Sequence, residues 1–355
     1  MAITAFGTND AQTVKIWSKK TMREALKKTF IKQFMGTGKK SIIQKLDDLE
    51  SNASDTIKFD LLMQATGAGV TGDNRLKDFE EELVYEQDSV VIDQLRNGHS
   101  FRRMSQQRTI HNMRTDAKDS LSDWFAGKID DYMFRYLCGD TTINHGQVGV
   151  VSDSDHYIVC GDVAKTGTIT TDEGNLSSND QIDLNDLDYA KEAATTLTPP
   201  ILPVRYNGQD YYVVVLHPYS VTDIRTNTNA GQWIDIQKNA GPRDDKGNKI
   251  FSGALGIYNN MVLLESNRIY SPLANVRRNL FLGAQAGVIA FGNAYDKIDQ
   301  RKYGKGNMFN WYEEKTDYGN EKGVAVGSIF GIKKTIFDSK DYGTIVMTCY
   351  AAKHG

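Results

Sequence analysis

Apolar and polar positions change period several times along the chain, and each change predicts an element. In the stretch DTIKFDLLMQ, Ile57, Phe59, Leu61 and Met63 alternate with Lys58 and Asp60. That period of two is what a half-exposed strand requires. A glycine-rich stretch, TGAGVTGDN, follows, and ELVYEQDSVVIDQLR then sets Leu83, Tyr85 and Gln87 against Val84, Glu86 and Asp88. Together they predict one long hairpin over residues 55–101. Upstream, Val14, Trp17, Leu26, Phe30 and Phe34 return at roughly helical spacing. This predicts a helix from about Ala11 to Met35, capped by Asn9 or Asp10 and stopped at Gly36.

A longer helix is predicted from Asn112 to Cys138, closed by Gly139. Leu121, Trp124, Phe125, Ile129, Tyr132, Met133, Tyr136 and Leu137 form its stripe, while Asp116, Lys118, Asp119, Asp123 and Lys128 lie largely off it. Such a rod spans about 40 Å. A further helix, Leu187 to Leu197, has Asn185 or Asp186 as its cap and Pro199-Pro200 as its stop. The continuous apolar run Tyr211 to Leu216, ended by His217-Pro218, reads as a strand buried on both faces. A short helix, a tryptophan-anchored helix in QWIDIQKNAG and a second apolar strand (Met261 to Leu264) follow it. Arg277 to Gly292 reads as a strand, a tight small-residue turn and then a helix or strand, with Gly283, Ala284, Ala286 and Gly287 implying dense packing. The last residues supply one or two more strands. Residues 140–185 are polar, with short strands at most (Tyr157 to Val159, Thr168 to Thr170), and read as an insertion or surface lobe.

Composition narrows the function. The 355 residues are 40% hydrophobic and 25% charged with a net charge of −3, ordinary globular values that give no overall pull toward nucleic acid. Cys138, Cys160 and Cys349 have unrelated spacings, so they read as reduced, mostly buried thiols and indicate neither a disulfide framework nor a zinc site. The first residues lack an apolar signal core and there is no 18-residue apolar run, so a soluble chain without a cleaved signal is expected. Charge is unevenly placed. Between Lys15 and Lys32 there are seven Lys/Arg and one acid, Glu24, whereas Asp47 to Asp93 holds thirteen acids and three bases. A lone hairpin is marginal in water, so the acidic one is expected to lean on the basic arm of another copy. The interface candidates are therefore Trp17, Lys19, Lys20, Arg23 and Lys27 on the arm, and Asp60, Asp73, Glu80, Glu81, Glu82 and Asp88 on the hairpin. A solvated face, a DNA contact and a membrane-surface helix are the other readings of the arm.

Catalytic motifs are weak. Gly67 to Gly72 matches G-x-G-x-x-G after a strand, the basis of an alternative reading as a nucleotide-binding enzyme. The preceding strand is only half apolar, however, and the acids that follow would repel a pyrophosphate. Gly36 to Ser41 lacks the first glycine of a phosphate loop. The six histidines include no zinc-binding pair, and there is no G-x-S-x-G elbow. Asp153 to Asp155 and Asp180 to Asp188 miss the calcium-loop spacing. No catalytic residue, metal or cofactor is expected. A host-surface or polysaccharide-binding module is a third reading.

Taken in order, several stretches resemble a tailed-bacteriophage major capsid protein, in its N-four-like branch. They are TVKIWSKK, DTIKFDLLMQATGAGVTGD, VVIDQLRNG with MSQQR, DSLSDWFAGKID with LCGD, PPILPVRYNGQDYYVVVLHPYSVTDIRTNT, FSGALGIYNNMVLLES, LGAQAGVIAFG and IFGIKKTIFD. The resemblance implies an α+β Hong Kong 97-type fold. Residues 1–50 would be an N-terminal arm and 51–102 an extended loop overlapping a neighbour. Residues 103–201 would be a peripheral domain around a spine helix, with the variable insertion at 140–185. Residues 202–330 would be an axial domain, and 331–355 strands returning to the peripheral domain. It further implies hexamers and pentamers of the chain itself in an icosahedral head, assembled in the host cytoplasm. Portal, scaffolding and decoration proteins, and packaged double-stranded DNA on the inner face, would be the other partners, with no membrane.

Overall fold

The computed structural model describes residues 11–38, 40–46, 55–61, 69–77, 80, 86–161, 173–206, 208–227, 255–303 and 307–354. Helix α1 (Ala11–Lys28) leads through a 3-10 turn (Phe30–Phe34) to strands β1 (Met35–Gly36) and β2 (Ile43–Leu46). A hairpin of β3 (Thr56–Leu61) and β4 (Glu86–Val91) precedes β5 (Asp93–Arg102), α2 (Arg103–Arg108) and α3 (Met113–Leu137). Then come β6 (Tyr157–Val159), α4 (Leu184–Thr196), β7 (Val204–Tyr206), β8 (Gln209–Leu216) and α5 (Pro218–Thr226). Strands β9 (Gly256–Tyr258), β10 (Met261–Glu265), β11 (Val276–Leu282) and β12 (Gly287–Phe291) follow. Helix α6 (Lys297–Tyr303), β13 (Phe309–Thr316), β14 (Glu321–Lys334), the minimal pair β15 (Ile336–Phe337) and β16 (Lys340–Asp341), and β17 (Thr344–Tyr350) close the chain.

Two sheets organise these elements. In the six-stranded sheet, β14 takes β5 along one side and β13 and β12 along the other, with β2 and β1 beyond β12. The seven-stranded sheet runs β6-β17-β11-β8-β10-β9, with β7 on β8. Strand β8 reads as its sequence predicts. Val213 and Val215 face the core that includes α3, while Tyr212, Val214 and Leu216 face a second core under α4 and α5. Its partner β10 is parallel, Tyr212 beside Met261. The expected tryptophan-anchored helix between them, and the strand at Thr168 to Thr170, lie outside the described residues.

Helix α3 begins where Asn112 accepts the N–H groups of Arg114 and Thr115, and ends at Cys138. Gly139 then turns with φ +71°, and a Cβ there would stand 3.1 Å from the Ser152 nitrogen. Leu121, Phe125, Ile129 and Met133 are fully buried, as the stripe predicts. Lys118, expected off the stripe, is also buried. It sits under α1, with Glu24 at 2.9 Å and Asp119 at 2.8 Å.

The N-terminal segment departs from expectation. Helix α1 stops at Lys28 rather than Met35, because Asp130 of α3 accepts the N–H groups of Phe30 (2.9 Å) and Ile31 (3.1 Å) and restarts the chain as a tighter turn. A buried carboxylate on another helix thus does the work of a cap. Thr21, Ala25, Ile31, Phe34, Ile42 and Ile43 are buried, and β2 is an integral strand. Residues 18–46 are part of the body, not an outlying arm.

Other expectations change in the same way. The returning strand leaves the hairpin at Val91, and β5 pairs with β14 instead. Helix α4 starts at Leu184, with Asp183 as cap in a reciprocal box with Asp186, three residues ahead of the predicted start. The turn from β11 to β12 passes between the sheets; Gly283 is forced there, since a Cβ would stand 2.4 Å from Ile201. Consequently β12–β14 belong to the sheet that carries α3, and β17 to the sheet of β8. Sheet membership therefore divides 202–330 after β11 and places β17 with β7–β11, because strand crossovers do not follow chain order. Cys160 and Cys349 form a disulfide, correcting the expectation of three reduced cysteines. Their nearness comes from the parallel β6–β17 ladder, which spacing in the sequence does not reveal.

Residues 140–161 and 173–185 are not a surface lobe. Several of their acids hold cations or backbone donors of the body. Asp140 pairs with Arg135 at 2.6 Å, and Asp153 accepts the His156 ring, the Asp155 and His156 N–H groups and the Asp341 N–H. Glu173 holds Arg278 through both carboxylate oxygens at 2.6 and 2.9 Å. Arg278 in turn donates to the carbonyls of Cys138 and Gly139 at the end of α3.

Three outcomes follow from this packing. Ile31→Ala should cost ~2–5 kcal/mol in urea denaturation, and deleting residues 1–34 should leave an unfolded or aggregated chain instead of a folded monomer. Glu173→Ala should cost ~3–5 kcal/mol, since it strands a buried guanidinium; a Glu173→Leu/Arg278→Met double variant should recover most of that loss. Asp153 is held down to about 2, its burial outweighed by hydrogen bonds from His156 and backbone N–H groups. A depressed carboxylate stabilises the fold above its unfolded value and loses that contribution as pH falls toward the folded one. Between about pH 4 and 2 the protein should therefore lose ~2 kcal/mol that Asp153→Asn lacks, as chemical denaturation across pH will show.

Candidate subunit interface

A surface that binds other protein copies needs exposed side chains whose charge and apolar area are not consumed internally. On α1, Ser18, Thr21 and Ala25 form the buried edge, and the side chains of Lys19, Lys20 and Lys27 point to solvent. The side chains of Trp17 and Arg23 lie outside the described residues. Part of the basic charge has an acidic neighbour within the chain. Lys28 pairs with Asp123 of α3, and that hydrogen bond raises the Lys28 ammonium above its usual range. The sequence placed that neighbour in another copy.

The hairpin divides in two. Its base is docked: Ile57, Phe59 and Val90 pack on Leu46, Val288 and Ala290, on the sheet face opposite α3. Its outer part is exposed. Residues 71–77 are solvent-facing, Asp73 among them, as is Glu80; Asp60 is half-buried, and Glu81 and Glu82 lie outside the described residues. Asp88 has an internal role the sequence did not show. Its carboxylate pairs with Lys333 and accepts the Ser89 and Ile336 N–H groups, so it fastens the hairpin to β14 and β15. The pattern could not show this, because Lys333 lies 245 residues away.

The nucleotide alternative finds no cradle. Gly69 and Gly72 take φ values of +66° and +67°, and nothing stands within 4 Å of where their Cβ atoms would be. They form an open turn, not a close backbone approach to phosphate. Strand β3 pairs only with β4 among the described strands, unlike the central strand of a dinucleotide fold.

One surface escaped the sequence reading. From Gln94 to Thr115 there are five arginines, two histidines and no acid. These residues form β5, whose other edge pairs with no described strand, and α2, which buries no side chain. Arg102 pairs with Glu321 and Arg114 with Glu313. Arg96, Arg103 and Arg108 are exposed with no ion pair among the described residues. The Arg103 N–H donates to Asn320 at 2.8 Å, which ties α2 to the β13–β14 turn. Met104, Ile110 and Tyr318 on these segments are 56%, 103% and 109% exposed. A missing sign of charge over 22 residues was the available signal.

Comparison with known proteins bears directly on this geometry. A family model described as "Phage capsid protein" matches residues 5–353. The major capsid protein of Pseudomonas phage KPP25 is 27% identical over 369 residues, covering 95% of this chain and 94% of that protein. Among solved structures, the capsid of Ralstonia phage GP4 is 32% identical with a TM-score of 0.78 and 92% of each chain covered. The cyanophage Pam1 capsid shares the fold at 20% identity, with a TM-score of 0.69 and 93% and 94% covered. A half-buried hairpin, a long helix over one sheet and a second packed sheet are thus parts of a shell tile. The chain belongs to the phage capsid protein family, as a major capsid protein of the Hong Kong 97-type fold that forms the icosahedral shell.

Proposed function

We propose that this chain works by packing alone: identical copies form hexamers and pentamers that close into a head around double-stranded DNA, with no bond-making step. The observation that carries this reading is the division of the molecule into a rigid two-sheet body and exposed parts of opposite charge, in a chain similar over nearly its whole length to solved phage capsids. Weak contacts repeated many times per copy allow errors to be reversed before closure makes the shell cooperative.

On this reading α3 with the six-stranded sheet is the peripheral unit, and the seven-stranded sheet with α4 and α5 is the axial unit around capsomer centres. This division is discontinuous in sequence, following sheet membership. Packaged DNA meets the inner face without sequence preference, since a net charge of −3 offers no strong general attraction. Portal, scaffolding and decoration proteins act at the edges of this lattice in the host cytoplasm. Lys19, Lys20 and Lys27, still exposed on α1, remain candidates for contact with a neighbour's acidic hairpin.

The chain expressed alone and viewed by electron microscopy should give closed shells or shell fragments of megadalton mass. Sedimentation should show these shrinking to capsomers or monomers as salt is raised, because exposed charge pairs are screened over about 10 Å at 0.1 M. A stable monomer or trimer at every salt concentration would overturn the proposal.

A further inference from the structure

Strand β11 carries two adjacent arginines, which alternation sends to opposite faces of the seven-stranded sheet. Arg278 faces α3 and is held by Glu173. Arg277 lies on the other face with Asn279 and Phe281, under α4 and α5. It is only 9% exposed, yet no carboxylate pairs with it among the described residues. Its Nη1 group is consumed: it donates to the carbonyls of Leu273 (3.4 Å), Ala274 (3.0 Å) and Val276 (2.9 Å) and to the Ser271 hydroxyl. The Tyr219 ring covers the guanidinium at 5.4 Å. Nε and Nη2 meet no acceptor among the described residues and reach solvent. Those two nitrogens form the edge with which an arginine grips an oxyanion through two parallel bonds.

The surroundings add to this positive charge instead of cancelling it. Strand β8 ends at Leu216 and His217 caps α5, whose first turn has no acid, so the helix presents its positive end beside the guanidinium. There is no Asp or Glu from Tyr211 to Thr222 or from Ser266 to Tyr295. The next acid along α5, Asp223, stands ~6 Å beyond Tyr219 at about 1.5 Å per residue. It is engaged by Gln181 at 2.9 Å and His354 at 3.0 Å. Burial, and then the charge of Arg277, push His217 down to about 4, so its ring is neutral at neutral pH. Its Nδ1 accepts the Tyr219 N–H at 3.1 Å, which leaves a proton on Nε2.

We infer that the Nε–Nη2 edge of Arg277, at the start of α5, is a binding site for a phosphate-type oxyanion. A dianion suits it better than a single carboxylate, because the guanidinium and the helix terminus together offer more than one positive charge. Bound there, it compensates a buried cation that the chain itself leaves unpaired. It also ties α5 to β11 and to the 271–276 loop, and so stiffens the seven-stranded unit. The inference does not depend on the shell-forming reading.

Inorganic phosphate titrated into the full chain against chloride, at constant ionic strength, should raise the thermal midpoint along a saturable curve. Arg277→Gln should weaken the apparent affinity tenfold or more. Arg277→Lys, which keeps the charge and loses the fork, should also bind less tightly than the parent. A structure of the parent determined in phosphate should place the ion about 3 Å from both Nε and Nη2, a readout that stands even if the variants fail to fold. An equal phosphate response in parent and Arg277→Gln, the lack of a saturable response, or an empty fork in that structure would overturn the inference. So would a carboxylate of a second copy seated on the fork in place of phosphate. Assembly of the parent in chloride is untouched by either result, so the shell-forming reading stands or falls separately.

Discussion

A single buried guanidinium fixes how the two layers of this tile meet. Arg278 stands on β11, inside the seven-stranded sheet, yet its side chain closes the last carbonyls of α3, which packs on the other sheet. Burying that charge is costly unless its donors are met. Glu173 meets two of them and the α3 terminus two more. The carbonyls of Cys138 and Gly139, just past the end of α3, and the arginine, left with an uncompensated charge by its burial, resolve each other. Rotating the sheets relative to α3 would expose both costs at once. The body is therefore held rigid where a shell must transmit shape from one contact to the next.

A similar logic recurs at the other end of the chain. Asp130 of α3 receives the backbone of the 3-10 turn after α1, and Lys118 is buried between the helices with Glu24 and Asp119. Burial raises the Asp130 carboxyl above its usual range, against the pull of the two backbone donors. The basic helix is thereby drawn onto the spine. Among the described residues, the exposed periphery includes residues 71–77, the Lys19 and Lys27 side chains of α1, and the far end of the β5–β14 ribbon. A packed frame with charged, exposed extremities suits a protein whose working state contains many copies of itself.

The elements with a strong internal period were legible. The stripe from Leu121 to Leu137 and the run from Tyr211 to Leu216 needed no knowledge of partners, because apolar spacing alone dictates which face is hidden. The resemblance to capsid proteins likewise lay in short motifs kept in order, and it led to the right family. Asp88, by contrast, looked like any other acid of the hairpin, and the 140–185 stretch looked like a solvated insertion. Their internal pairings were not legible because the cations involved, Lys333 and Arg278, are far away in sequence.

By itself, then, the sequence determined the periodic elements, the separation of acidic and basic segments, and the membership of a shell-forming family. Those are properties of local spacing and composition. Only the tertiary structure decided which strands share a sheet, where the N-terminal segment joins the core, and which charges are consumed internally. Each of these depends on contacts between residues many tens to hundreds of positions apart, such as Asp130 with Phe30 or Cys160 with Cys349. Chain folding brings such pairs together for reasons that neither partner's neighbours reveal.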